Sequence, residues 1–159
     1  MVAKNHHRKI TIRLAAIKDA NLVAPLFDSY RQFYGQKSDL KLAKKFISER
    51  LKNKQSIIFI AVLEEKAVGF VQLYPSFSSV AAQKILVLND LYVAPEARKL
   101  GVAKALMEKA KDYALKNKAK RLSLSTAKNN LTAKSLYQSL GYNIDQTYDH
   151  YSLEILTLL

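Results

Sequence analysis

The run Lys84-Ile-Leu-Val-Leu-Asn-Asp-Leu-Tyr-Val93 is β-rich and too apolar for the edge of a sheet, so the fold has to cover it with other elements. Ala94-Pro95 ends it. From Leu100 to Lys116, Val102, Leu106, Ala110 and Tyr113 make one apolar stripe, and Lys104, Lys109, Lys111 and Lys116 mostly occupy the rest, which is an amphipathic helix. A central strand running through a short loop into a helix that opens near Gly101 is therefore the frame around which the rest is placed.

Upstream, Ile10, Ile12 and Leu14 alternate with Thr11 and Arg13 as a first strand. A helix follows from Asp19, carrying Leu22, Val23, Leu26, Phe27, Tyr30 and Tyr34, with Pro25 expected to kink or delay it and Gly35 to end it. Ser38 and Asp39 can cap a second helix whose apolar positions Leu40, Ala43, Ile47 and Leu51 share a face. Residues 56–63 and 67–74 read as an antiparallel hairpin across Glu64, Glu65 and Lys66, with Pro75 stopping the second strand and a loop over 76–83. Downstream, 121–126 alternates as a strand, Asn130 can cap a helix carrying Ala133, Leu136, Tyr137 and Leu140, and Gly141 follows it as C′. Residues 142–146 and 151–156 are expected to pair as a final hairpin. The order β-α-α-β-β-β-α-β-α-β-β predicts an α/β fold with a mixed, mostly antiparallel central sheet flanked by helices.

Length and punctuation predict one domain over residues 1–159, with 1–9 as a basic tail: four glycines and three prolines leave no linker or low-complexity block. Lys and Arg number 26 against 13 Asp and Glu, a net charge of +13 that attracts polyanions, whether nucleic acid, acidic membrane or a phosphorylated small molecule. No run approaches the ~18–20 apolar residues of a membrane span, and no apolar segment follows the basic N-terminus, so the expectation is a soluble, cytoplasmic protein without membrane partners. Zero cysteines exclude disulfides, thiolate nucleophiles and sulfur-ligated zinc. His6 and His7 read as a solvated tail and His150 stands alone, so no metal site is expected.

The chemistry concentrates at residues 91–103. A helix start exposes free N–H groups at the positive end of its dipole, an anion site, and a glycine there lets phosphate oxygens approach the backbone. Arg98 and Lys99 add charge. The G-x-G-x-x-G of a Rossmann unit and the Gly-Lys-Ser/Thr of a P-loop are both absent. An ordinary strand-loop-helix connection with a basic surface explains the local pattern equally well, so the decision falls to the rest of the chain.

Two motifs in series make that decision. Arg98-Lys-Leu-Gly101-Val-Ala103 matches Arg/Gln-x-x-Gly-x-Gly/Ala, and Asn130-x-x-Ala133-x-x-Leu136-Tyr137, followed by Gly141-Tyr142, matches a second block of the GCN5-related N-acetyltransferase (GNAT) superfamily. The chain resembles that superfamily from residue 10 to about 156, and residues 73–79 and 88–93 look like its bacterial histone- or diamine-acetyltransferase-like subgroup. The resemblance implies acetyl-CoA as co-substrate, lying where the strand ending at Val93 splays from strand 121–126. It implies that the N–H groups of Lys99, Leu100, Gly101, Val102, Ala103 and Lys104 cradle the pyrophosphate. It further implies that the backbone around Leu91, Tyr92 and Val93 pairs with the pantetheine amides, that Asn130 and Ala133 border the pantetheine arm, and that a bulge in strand 84–93 aims an N–H at the thioester carbonyl.

Tyr137 matches the family's hydroxyl beside the sulfur, suited to protonating the departing thiolate, although packing on the helix face explains it too. The base departs from the pattern: polyamine-type relatives carry a glutamate where this chain has Asn89. Asp90 is the nearest carboxylate, and it replaces that group only if a bulge re-aims it; otherwise it caps or pairs with a cation, and water carries the proton. The implied reaction is direct transfer of an acetyl group to a primary amine of a small molecule or peptide in a ternary complex. Tyr30, Tyr34 and Tyr74 are candidate walls for the acceptor, with buried aromatics as the plainer account of them. A non-catalytic acyl-CoA-binding or sensing domain and a basic nucleic-acid-binding module are the alternatives. Lys109, Lys111, Lys116, Lys118 and Lys120 read as a solvated face without the interleaved aromatics of an RNA module, so nucleic acid is not expected, and a homodimer is left open.

Overall fold

Alternation along the central strands sorts their side chains onto two faces, and helices cover both. The computed structural model describes residues 9–155. The chain divides into two compact units, Met1–Ser125 and Thr126–Leu159. In the first unit, β1 (Ile10–Leu14), β2 (Ile57–Leu63), β3 (Lys66–Ser78), β4 (Gln83–Val93) and β5 (Leu122–Ser123) form one sheet in that order. Neighbours are antiparallel except β4 and β5, which run parallel.

On one face, α1 (Ala20–Phe33) and α2 (Leu40–Lys52) pack Val23, Phe27, Ala43 and Ile47 against Ile58, Ile60 and Phe70. Phe27 meets Phe70 edge-on at 6.3 Å and stacks on Phe46 at 5.2 Å. The other face belongs to α3 (Val102–Lys116), whose Val102 and Leu106 approach Gly69 and whose Tyr113 meets Phe59 at 5.7 Å. Burial of side chains such as Phe70 and Leu106 contributes about 1.5–3 kcal/mol each. The second unit contains α4 (Leu131–Ser139).

Several local expectations give way to tertiary context. Pro25 does not break α1, which loses one backbone bond there but keeps Val23, Ala24, Leu26 and Phe27 buried on both sides of it. Pro75 does not stop β3: the strand pairs with β4 out to Ser78, opposite Gln83, so the expected 76–83 loop shrinks to a turn over 79–82. Beyond Leu73, β3 has lost β2 as a neighbour, and a residue without an N–H is tolerated on a strand with one open side. Asp39 caps α2 through Leu42 N–H at 2.9 Å, but Leu40 is exposed and only Ala43 and Ile47 of that stripe are fully buried.

The C-terminal part differs most. Strand 121–126 contracts to Leu122–Ser123, and residues 142–155 form no hairpin; Leu156 lies outside the described residues. The Asp145 carboxylate accepts from Thr147 N–H at 2.8 Å and Tyr148 N–H at 3.2 Å, a local turn made by a side chain and the backbone just after it. Tyr151, Leu153 and Ile155, whose alternation suggested the strand, stand exposed.

Candidate active site

The centre of the site is a one-residue bulge in β4. Leu73 pairs with Leu88 and Gln72 with Asp90, which leaves Asn89 without a partner on β3. The bulge reverses the parity of the strand: Leu88 and Leu91 face α3, whereas Asp90 joins Gln72 and Tyr74 on the face of α1 and α2. Asn89 itself is exposed.

Past the bulge, β4 pairs with no strand along its far edge among the described residues, and that edge is open in that sense. It pairs with β5 only at Leu86–Leu122 and Val87–Ser123, with Leu86 N–H donating to the Arg121 carbonyl at 3.1 Å. Ala94 N–H donates to the Val68 carbonyl at 2.8 Å, which sets the opposite parity after the bulge and turns the peptide groups of Leu91 and Val93 away from β3, toward that open side. Tyr92 alternates to the other face, where it packs partly buried against the α1–α2 core.

The open edge runs directly into the start of α3. Pro95–Ala97 form a 3-10 turn, Lys99 and Gly101 take left-handed conformations with φ of 60° and 81°, and Gly101 is the N-cap. The first intrahelical bond is Ala105 N–H to the Gly101 carbonyl at 3.0 Å, so the N–H groups of Val102, Ala103 and Lys104 precede the ladder. No side chain caps this end and no acidic residue lies in its first turn. A methyl group on Gly101 would meet no other atom within 4 Å, so the space over the helix start is open, and the left-handed φ is what requires glycine. Free donors, a dipole and basic side chains at a glycine-opened helix start suit a pyrophosphate. Arg98 folds back, its Nε donating to the Val93 carbonyl at 3.1 Å, and Lys104 Nζ lies 3.9 Å from Glu108.

Behind the bulge lies a buried polar chain. Ser56 Oγ donates to Gln72 Oε1 at 2.7 Å, Gln72 Nε2 donates to Asp90 Oδ2, and Asn89 Nδ2 donates to Asp90 Oδ1 at 2.8 Å. Gln72 is 0% and Asp90 2% exposed. Burial pushes the Asp90 carboxyl above its ordinary value, against the opposing effect of the Gln72, Asn89 and Tyr30 donors. The Tyr30 hydroxyl donates to the Asn89 carbonyl at 3.2 Å. Burial and the charge of Asp90 raise Tyr30, and they push Tyr74 up to about 12, so both hydroxyls stay protonated at neutral pH. Tyr30 and Tyr34 meet edge-on at 5.0 Å, so the candidate acceptor walls from α1 are in mutual contact.

In the second unit, Asn130 is the N-cap of α4 and its Oδ1 accepts from Ala133 N–H at 3.2 Å, so the two motif residues are bonded to each other. Tyr137 follows one turn after Ala133, and its ring lies 6.2 Å from that of Tyr142. The structure thus gathers Asp90, Leu91, Tyr92, Val93 and Arg98 to Lys104 along one strand-loop-helix path, and Asn130, Ala133 and Tyr137 along α4. Sequence reasoning missed Ser56 and Gln72. The available signal was a glutamine inside the apolar run 67–74, on the face it shares with Phe70 and Tyr74.

Comparison with known proteins identifies the family of this chain. The Acetyltransferase (GNAT) family model matches residues 23–142. An uncharacterized N-acetyltransferase of Bacillus subtilis strain 168 is 47% identical over 146 residues, 92% of this chain and 98% of the relative. The crystal structure of a probable acetyltransferase is 41% identical, with a TM-score of 0.87 over 92% of this chain and 99% of that one. An aminoglycoside N-acetyltransferase in complex with CoA has the same fold at 19% identity, with a TM-score of 0.76 over 98% of this chain and all of that one. The chain belongs to the acetyltransferase (GNAT) family and is an N-acetyltransferase by that membership.

Proposed function

From that membership, we propose that the enzyme moves an acetyl group from acetyl-CoA to a primary amine of a small molecule or peptide, by direct attack in a ternary complex. The observation that carries this reading is the continuity of the open β4 edge at Leu91 and Val93 with the uncapped, glycine-opened start of α3. The edge offers peptide groups to the pantetheine amides, as an added strand would pair. Backbone donors of Val102, Ala103 and Lys104, with the loop from Lys99, hold the pyrophosphate. Arg98 supplies charge from a position already tied to Val93.

When bound, acetyl-CoA supplies an activated acyl group and a thiol leaving group. The chain supplies orientation and protons. Asp90, beside the bulge and with its affinity for protons raised by burial, takes the proton of the acceptor amine. Tyr137 as the acid, and Asn130 and Ala133 beside the pantetheine arm, rest on the motif they share with the family. No acyl-cysteine can form, because the chain has no cysteine.

Two assays test the reading. Acetyl-CoA should raise the melting temperature of the wild type, because a ligand selective for the native state stabilises it. In folded Gly101→Glu, which places a side chain and a negative charge where phosphate oxygens would sit, the rise should vanish; an undiminished rise would remove the cofactor assignment. A second reading, a non-catalytic acyl-CoA-binding domain, is favoured by Asn89, which accepts no proton, and by the donors already engaging both Asp90 oxygens. An amine panel scored by free-thiol release separates the two, since the binding domain predicts a thermal shift without turnover.

A further inference from the structure

We propose that Ser56 and Gln72 are positioning residues, which aim the carboxylate of Asp90 at the β4 bulge and set how strongly it holds a proton. The inference rests on the reading of Asp90 as the group that accepts the proton. Gln72 is fully buried and Ser56 is 8% exposed, in a sheet face otherwise filled by Ile58, Ile60 and Phe70. A buried amide in such a place is costly unless its groups are bonded. Here Ser56 Oγ–H donates to Gln72 Oε1 while Nε2 faces Asp90. Turning the amide over would set its oxygen against the carboxylate, which only accepts, so the charged form favours this orientation and the Ser56 hydroxyl anchors the amide in it by bonding the buried oxygen.

Asn89 and Tyr30 also favour the charged form, but neither is a buried amide held in place by a second residue. Asn89, on the same strand, donates to Oδ1 and sits at the exposed bulge. Tyr30 from α1, with Tyr34 behind it, and Tyr74 from β3 are phenols that stay protonated at neutral pH, and Arg50 of α2 acts on Tyr74. Gln72 is thus the buried donor that reaches Asp90 from the neighbouring strand, and Ser56 is what holds it in register.

The test is direct titration of Asp90 by carboxyl-carbon NMR, its resonance assigned by disappearance in Asp90→Asn. In Gln72→Met, which keeps length but removes the donor, the midpoint should rise by about one pH unit, because the charged form loses a hydrogen bond while burial persists. Ser56→Ala should move it the same way by less, and that variant decides alone if Gln72→Met does not fold. A midpoint unmoved in the folded variants overturns the proposal. Acetyl-CoA binding is read separately by thermal shift, so a wild type that fails to bind removes the acetyl-transfer reading and leaves the titration result standing.

Discussion

Asp19 and Asp90 are both almost fully buried carboxylates, and their neighbours push them in opposite directions. Arg13 Nη1 and Nη2 each reach an Asp19 oxygen at 2.9 Å, and with the Ala16 N–H at 2.8 Å they outweigh burial and hold the carboxyl down to about 2. Asp90 receives donors that carry no charge, and burial prevails. Asp19 binds its proton less readily folded than unfolded, so its contribution is complete above an unfolded value of about 4 and is lost as pH falls toward 2. Asp19→Asn should cost on the order of 1–2 kcal/mol at pH 7, after allowance for the part-exposed Arg13, and thermal melts should show the gap from wild type closing as pH approaches 2. For Tyr137, loss of the hydroxyl in Tyr137→Phe keeps the ring and its contact with Tyr142. Fold and acetyl-CoA affinity should therefore survive while turnover falls about 10²-fold, the lower end for a lost general acid. Wild-type turnover, measured where chemistry limits the rate, would remove the acid role.

Among the elements, β3, β4 and α3 meet at Gly69. A Cβ there would lie 2.7 Å from the Tyr92 carbonyl oxygen and 3.4 Å from side-chain atoms of Val102 and Leu106. The oxygen belongs to the backbone of β4 and cannot swing aside, so Gly69→Ala should cost about 1–3 kcal/mol as overpacking and lower the melting temperature accordingly. The apolar runs that made the β2–β3 hairpin and β4 legible are local, and so are the caps at Asp39 and Asn130. Pro75 was misread because a missing N–H matters only when a neighbouring strand needs it. The terminal hairpin was overestimated because alternation at Tyr151, Leu153 and Ile155 carries no information about whether a partner edge exists. At the site, the glycine-opened helix and its motif could be read from residue order, and the resemblance implied a bulge somewhere in 84–93, but its place at Asn89 follows from the register of Gln72 against Asp90, two residues 18 apart on neighbouring strands.

Over the whole molecule, the net charge of +13 and the half-paired β4 oppose each other. A strand with unpaired peptide groups along one side is a template for another chain, and β4 carries apolar side chains on both sides of that backbone. Like charge keeps copies apart, but only within a screening length of about 10 Å at 0.1 M salt. Light scattering of ligand-free protein should therefore climb with added salt, and saturating acetyl-CoA should suppress the climb; equal scattering with and without it would show that the edge is inert. Suppressed scattering would make the proposed donor substrate a guardian of colloidal state as well as a reactant, so that depletion of acetyl-CoA would expose the enzyme to clumping at the same moment that it idles.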